Sequence, residues 1–256
     1  MDMSHITQHL SNGCSFSTKK AFLSCHQKLG ELLQLNPTIN LAKAGRGNDR
    51  CVATTIHWFL KHPERMKDTF VSIGWSSAHR WDYISGPTEP GMKGVKGEIA
   101  NFSHQWGTWR LWEEEWLANG PDIDIDLSSS MRMYTNILTL QNFFKLHNIP
   151  YLMYWALTND LPEEGDLKAL KDAVDRTHFY NFETSEHVKE NIKIYNEMKT
   201  KREIVIVANT DYVQSHFEYC AQQGLRKSSD DAHPSLEGHH TWAELLLQFV
   251  RDRKIL

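Results

Sequence analysis

The sequence contains little cysteine and no paired cysteine motif. No two of the four cysteines form a C-x-x-C pair, and they stand at positions Cys14, Cys25, Cys51 and Cys220. This spacing argues against a zinc ribbon or a disulfide framework, and it is typical of reduced thiols in a cytosol. The sequence also lacks any run of 18 apolar residues, so it predicts no membrane-spanning helix and no membrane partner.

The sequence lacks an excess of basic residues as well. Its 28 Lys and Arg face 32 Asp and Glu, which gives a formal net charge of -4. Because a phosphate backbone is bound by clustered positive charge, we expect no nucleic-acid partner. The first residues show no basic region followed by an apolar one, so no export signal is predicted and the expected location is cytoplasmic.

Apolar segments alternate with segments of helical period along the chain. The chain has 256 residues, of which 40% are hydrophobic, and this is sufficient for a single α/β domain over residues 1–256. Helices are predicted over 20–35 and 48–60. A first strand is predicted to end near residue 13, and further strands are predicted at 38–42, 69–73, 149–157 and 203–208.

Two long connections interrupt this alternation. The segments 79–130 and 159–202 exceed the usual length of a connection, and we predict that both are insertions. The first is rich in tryptophan, and the last three of its tryptophans follow a helical spacing that is more typical of a core or lid than of a sugar-binding surface. Its tryptophans are Trp81, Trp106, Trp109, Trp112 and Trp116.

A turn of small residues connects the first predicted strand to the first predicted helix. It reads Gly13-Cys14-Ser15-Phe16-Ser17, and a serine at this point has an exposed hydroxyl and faces the positive end of the helix. Ser15 is therefore a candidate nucleophile. A serine that only caps the helix is the alternative. Cys14 is a weaker candidate nucleophile, since the sequence shows no partner that would stabilise its thiolate.

The segment Asp230-Asp231-Ala232-His233-Pro234 precedes the last predicted helix. An aspartate three residues before a histidine can bind one ring nitrogen and leave the other free as a general base. These residues supply the remaining members of a catalytic triad, with His233 as base and Asp230 orienting it. The alternative is a loop before a helix in which Asp230 caps and His233 is merely exposed.

Taken together, these segments resemble the SGNH (GDSL-type) hydrolase family. Gly13-Cys14-Ser15 is similar to the first block of that family, usually Gly-Asp-Ser, and Asp230-x-x-His233-Pro234 is similar to its last block. Asn40 and Gly45 reproduce the spacing of the second block. In the third block, Gly74-Trp75-Ser76-Ser77 stands where the family usually has Gly-x-Asn-Asp, so Ser76 takes the position of an oxyanion-binding asparagine.

The resemblance implies a fold and a set of site residues. The fold is a three-layer α/β/α, flavodoxin-like SGNH hydrolase fold with a mostly parallel five-stranded sheet. The resemblance implies that Ser15, Asp230 and His233 would form the catalytic triad. The amides of Ser15 and Gly45 and the hydroxyl of Ser76 form the oxyanion hole, and Asn48 is a fallback donor. Gly45 serving only its own turn is equally compatible with the sequence.

The implied reaction is hydrolysis of an ester by a serine esterase or deacylase. The substrate would be a small-molecule or carbohydrate ester, with an O-acetylated carbohydrate as a candidate. Two alternatives stay open: an acyltransferase on the same scaffold, and a non-catalytic, virion-associated or binding module. The segment 233–243 resembles SGNH-like proteins of bacteria and their viruses, so a virus-encoded protein is one origin considered.

No cofactor and no metal site are predicted. His233, His239 and His240 lie near Asp230 and Asp231 in the sequence, but their spacing matches no metal-ligand motif. The sequence predicts nothing about the oligomeric state.

Overall fold

A five-stranded parallel sheet forms the centre of the computed structural model, which describes residues 5–18, 24–85, 105–110, 124–159, 161, 165–183 and 213–256. Its strands are β1 (Gln8–Gly13), β2 (Thr38–Asn40), β3 (Thr69–Trp75), β6 (Tyr151–Trp155) and β7 (Phe179–Tyr180). Their order in the sheet is β2-β1-β3-β6-β7, and all neighbouring pairs are parallel. Two further strands pair antiparallel as a separate hairpin, β4 (Arg80–Ser85) and β5 (Gln105–Arg110).

Helices cover both faces of the sheet. Apolar side chains of α1 (Cys25–Leu32) and α6 (Leu236–Asp252) share one core cluster, while those of α2 (Asn48–Lys61), α3 (Ile125–Leu146) and α4 (Asp166–Ala173) share the other. A shorter helix, α5 (His216–Gln222), precedes α6 and contacts it. Single 3-10 turns occupy Pro63–Arg65 and Arg176–His178. The protein therefore has three layers, α/β/α.

Strand β6 shows how one sequence serves both faces. All five of its residues are buried, as expected for a parallel strand covered on both sides. Side chains of successive residues point to opposite faces: Tyr151, Met153 and Trp155 join the cluster with α2 and α3, whereas Leu152 and Tyr154 join the cluster with α1 and α6. The continuous apolar run in the sequence is the result.

The order of the five strands is the flavodoxin-like order 2-1-3-4-5 once the hairpin is set aside. The predicted fold class is therefore confirmed, as are the helix at 48–60 and the strands at 38–42, 69–73 and 149–157, within a few residues. The helix predicted over 20–35 spans Cys25–Leu32. Among the described residues, no helix is long and apolar enough to cross a membrane.

The long connections differ from the prediction in detail. The strand predicted at 203–208 lies outside the described residues, and the fifth strand of the sheet is β7, inside the segment 159–202. A strand of two residues is too short to show a recognisable hydrophobic period in the sequence. In the segment 79–130, Trp106 and Trp109 lie on β5 rather than on a helix, while Trp112 and Trp116 lie outside the described residues.

Candidate active site

The chain reverses its direction of progress across the sheet between β1 and β3. After β1 it moves outward to β2 and then returns to β3 on the other side of β1. In open α/β sheets, a crevice for ligands forms at such a switch point, beyond the carboxyl ends of the strands. Gly13 and Gly74 are register partners at these ends, so Ser15 and Ser76, each two residues further on, emerge at corresponding positions of neighbouring strands.

Glycine is required where β1 ends. Gly13 has φ 152, and a Cβ there would lie 2.6 Å from the carbonyl oxygen of Gly74. Its amide donates to Asn12 Oδ1 at 2.9 Å, and the amide of the fully buried Asn12 side chain donates to groups on helix α2, at Cys51, Thr54 and Thr55. The strand end is thereby bound to the helix behind it, and the start of the following turn has a defined position.

The turn after β1 exposes one candidate nucleophile. The amide of Ser17 donates to the Cys14 carbonyl at 3.0 Å, which closes the turn around Ser15 and Phe16. Cys14 and Ser17 are fully buried and Phe16 is nearly so, while Ser15 is half-buried. A nucleophile must reach both solvent and substrate. The packing therefore favours Ser15 over Cys14.

The second block lies against this turn. Asn40 Nδ2 donates to the Ser17 carbonyl at 2.7 Å, and Asn40 Oδ1 accepts from the Ala42 amide at 2.9 Å. The Lys43 amide donates to the Gly13 carbonyl at 3.1 Å. Gly45, the predicted oxyanion donor, is half-buried and has φ 73, in the left-handed region that favours glycine. The loop that carries Gly45 thus begins directly beside the strand end.

In the third block, Gly74-Trp75-Ser76-Ser77, the hydroxyl of Ser76 has no hydrogen-bond partner among the described residues. Ser76 is almost fully buried. The Asn48 side chain is occupied instead, because Oδ1 accepts from the Ser76 amide at 2.9 Å and Nδ2 donates to the Ser76 and Ser77 carbonyls. Asn159 also donates to the Ser76 carbonyl, at 3.2 Å. Asn48, the fallback oxyanion donor, therefore serves to hold the loop.

The hairpin of β4 and β5 supports the same region from outside. Asp82 accepts from the amides of Gly47 and Arg50, both at 2.9 Å, and from the Thr108 hydroxyl at 2.5 Å. Burial raises the pKa of this carboxyl, while the three hydrogen bonds oppose that rise. A hairpin side chain thus satisfies backbone amides at the start of α2 and fixes the loop that contains Gly45.

His233 has a carboxylate partner, and that partner is Asp231. His233 Nδ1 lies 2.6 Å from Asp231 Oδ1, which also accepts from the His233 backbone amide at 3.0 Å. These two hydrogen bonds, the backbone one foremost, lower the pKa of Asp231. Asp230, expected beside His233, has its carboxylate 3.2 Å from the neighbouring Ser229 hydroxyl instead. A tight turn over two residues brings Asp231 to the ring, which explains the difference.

Phe16 connects the two ends of the chain. Its ring stacks on His233, with the centroids 5.2 Å apart and the planes at 29°. No described residue bonds to His233 Nε2 or to Ser15 Oγ, so the structure holds no direct hydrogen bond between the predicted nucleophile and the predicted base. Phe16 directly follows Ser15 in the chain, so the Ser15 turn contacts the His233 ring.

Sequence reasoning missed Asp231, Asp82 and Asn159. The contact of Asp231 could have been predicted from the pattern Asp-x-His, because an aspartate commonly accepts from the amide two residues later in an Asx-turn. Asp82 accepts from groups 26 or more residues away, Asn159 bonds Ser76 across 83 residues, and no local pattern marks either. Among the described residues, possible metal ligands converge elsewhere, at Cys25, His216 and His239.

Comparison with known proteins gives a family without a known activity. The family of unknown function DUF6071 matches residues 9–255, and no curated protein matches. Among solved structures, TesA is similar over 98% of this chain and 100% of its own, with 11% identity and a TM-score of 0.43. A candidate SGNH hydrolase from Slackia heliotrinireducens is similar over 96% and 99%, with 12% identity and a TM-score of 0.43. Because the family match spans almost the whole chain, the protein belongs to DUF6071.

Proposed function

We propose that the protein is an SGNH-type serine hydrolase that cleaves an ester with Ser15 as nucleophile, His233 as base and Asp231 as the carboxylate that orients the base. The observation that carries the proposal is the 2.6 Å contact between His233 Nδ1 and Asp231 Oδ1, on a ring that stacks beside the Ser15 turn. A histidine that donates from Nδ1 to a carboxylate has a lone pair on Nε2 for accepting a proton.

The reaction follows from these roles. Ser15 Oγ attacks the ester carbonyl carbon while His233 Nε2 takes the hydroxyl proton, and the carbonyl oxygen becomes an oxyanion. The tetrahedral intermediate expels the alcohol, which receives the proton from His233. Water then attacks the acyl-serine with His233 again as base, and the carboxylic acid and free Ser15 are released. Asp231 stabilises the imidazolium ion at both stages.

The oxyanion would be bound by the Ser15 and Gly45 amides and the Ser76 hydroxyl. Support for Ser76 comes from its buried Oγ without a described partner and from its position two residues beyond Gly74, the register partner of Gly13. A hydroxyl donates a single hydrogen bond and reaches less far than an asparagine amide. We therefore expect slower acyl transfer than in a site with asparagine at this position.

Ser15 and His233 must approach one another for the reaction to proceed. Catalytic hydrogen bonds are often long or misaligned before substrate binds and tighten in the complex. Ser15 is half-buried and its Oγ has no hydrogen bond to any described residue, so the side chain can rotate freely among the described groups. His233 is held by Asp231 and Phe16, and the smaller serine is the group expected to move.

The proposed substrate is an O-acyl ester of a small molecule or carbohydrate. The hairpin that supports the Gly45 loop through Asp82 also includes Trp106 and Trp109 in the sequence of β5, and tryptophan is a residue type that suits sugar faces. Comparing acetylated saccharides with aryl acetates tests this choice. Faster transfer of the acyl group to an added saccharide than to water would instead identify an acyltransferase.

A fluorophosphonate probe tests the nucleophile directly, because it reacts with a serine activated by a base. We expect labelling of the intact protein, with the label mapped to the peptide that contains Ser15, and no labelling of Ser15→Ala. Ser17→Ala is the matched control, since Ser17 is a buried serine in the same turn. Labelling that persists in Ser15→Ala, or that is lost only in Ser17→Ala, would contradict the assignment.

Two observations favour a second candidate, a non-catalytic binding module on the same fold. Ser15 and His233 share no hydrogen bond among the described residues, and serine replaces the usual asparagine at position 76. If the folded protein neither reacts with the probe nor hydrolyses acetyl or short-chain esters, the binding role is the better assignment.

A further inference from the structure

Three potential metal ligands converge on the face of the sheet that α1 and α6 cover. Cys25, His216 and His239 are all buried, and one ligand atom from each lies within 4.8 Å of the other two. They come from the first turns of three different helices, α1, α5 and α6. More than 190 residues separate Cys25 from His239 in the sequence, so no spacing motif could have revealed the group.

The hydrogen bonding of His216 suits a metal ligand. His216 is fully buried, its Nε2 lies 3.3 Å from the Gly238 carbonyl, and its Nδ1 has no hydrogen-bond partner among the described residues. The carbonyl only accepts, so Nε2 carries the proton and Nδ1 carries a lone pair. Metal-binding histidines commonly show this arrangement, in which the second nitrogen donates to a backbone carbonyl and orients the ring.

The ring of His216 is also held from the side. It lies nearly parallel to the Trp242 ring, at 7° and a centroid distance of 5.1 Å, and edge-on to His239 at 5.3 Å. An uncompensated polar nitrogen in an apolar core is costly unless a partner satisfies it. A ring that is fixed in orientation and has a buried, unbonded Nδ1 lone pair is suited to binding a metal ion.

We propose that Cys25, His216 and His239 bind a zinc ion. Thiolate and imidazole are ligands that zinc prefers, and two imidazoles with one thiolate leave a fourth tetrahedral position for another ligand. At ordinary Zn–S and Zn–N lengths, neighbouring ligand atoms are about 3.3 to 3.6 Å apart. The three side chains therefore need to close by at most about 1.5 Å, and Cys25 binds as thiolate with release of its proton.

Such an ion would connect the two ends of the chain. Cys25 lies at the start of α1, which follows the Ser15 turn, while His216 and His239 flank the loop that carries Asp231 and His233. Phe16 packs edge-on to His216 at 5.8 Å and stacks on His233. The metal is thus expected to act as a structural link behind the Ser15 turn, independent of whether the protein is a hydrolase.

The test uses the full-length protein without an affinity tag. The protein is produced in zinc-supplemented medium and purified, and metal analysis is then expected to find about one zinc ion per chain. After chelation, titration with Co²⁺ is expected to produce the thiolate-to-cobalt charge-transfer absorption of a sulfur-ligated site, and chelation is expected to lower the thermal midpoint. Wild-type protein with no stoichiometric zinc and no such absorption would overturn the proposal.

Variants identify the ligands. Cys25→Ser is expected to lose the charge-transfer absorption and His216→Gln to weaken cobalt binding at least about 10-fold. Cys51→Ser is the matched control, because Cys51 is an equally buried thiol that belongs to the core cluster on the other face of the sheet. Full absorption in Cys25→Ser, or its loss in Cys51→Ser, would refute the assignment even if the His216 variant does not fold.

Discussion

The pairing of His233 with Asp231 predicts opposite outcomes for two adjacent aspartates. Asparagine at position 231 keeps the size of the side chain and an acceptor oxygen, but it removes the negative charge that stabilises the imidazolium ion. Asp231 Oδ1 accepts from both the ring and the amide of His233, at 2.6 and 3.0 Å. Asp231→Asn should therefore slow the reaction, whereas Asp230→Asn should not.

The structure also sets the size of this effect. A hydrogen bond to a charged group contributes about 1.5 to 3 kcal/mol, and the lower part of that range applies because the Asp231 side chain is 42% exposed. A loss of about 1.5 to 2 kcal/mol corresponds to a decrease in kcat/KM of about 10- to 30-fold. For Asp230→Asn, whose carboxylate accepts a hydrogen bond from the exposed neighbour Ser229 and none from His233, we expect a change of less than about 2-fold.

The assay is the rate of aryl acetate hydrolysis, measured together with the rate of fluorophosphonate labelling, for both variants and the parent protein. Thermal unfolding of each variant establishes that the fold is intact. If Asp230→Asn lowers kcat/KM more than Asp231→Asn does, the Asp-x-x-His pattern is the correct guide and the geometry at Asp231 is not the catalytic one.

Three further predictions concern the oxyanion site, acid stability and the hairpin. Ser76→Ala should lower kcat with little change in KM, because that donor acts on the charge of the transition state; an unchanged kcat in steady-state kinetics would exclude Ser76 as a donor. Burial lowers the pKa of His9 to about 3. As the pH falls below about 6.5, His9 therefore takes up a proton in the unfolded chain but not in the folded protein, and the free energy of unfolding decreases. His9→Gln should remove about 2 kcal/mol of the stability difference between pH 7.5 and pH 5, and urea unfolding that shows the same pH dependence in both proteins would contradict this. Asp82→Asn should destabilise the fold by about 1 to 3 kcal/mol because the amides of Gly47 and Arg50 lose a charged acceptor; thermal unfolding checks this, and an unchanged midpoint would show that the hairpin does not hold the loop.

Local patterns accounted for much of the fold. The apolar run of β6 is visible in the sequence because both faces of that strand are buried, and the helical period of α2 is visible because one face of that helix is buried. The strand order is not visible in these patterns, because it depends on which strands pair with one another. The two-residue strand β7 has no such period, and its position depends on pairing with β6.

The candidate site likewise combines features that the sequence shows with contacts that only the structure shows. By itself, the sequence determined that a serine follows the first strand and that a histidine shortly after two aspartates precedes the last helix, since both are local turns with local signals. Only the tertiary structure decided which aspartate meets His233, that Asn48 is occupied by the Ser76 loop, and that Cys25 meets His216 and His239. These contacts depend on side-chain rotamers and on packing between segments far apart in the chain, and no periodicity in the sequence encodes either.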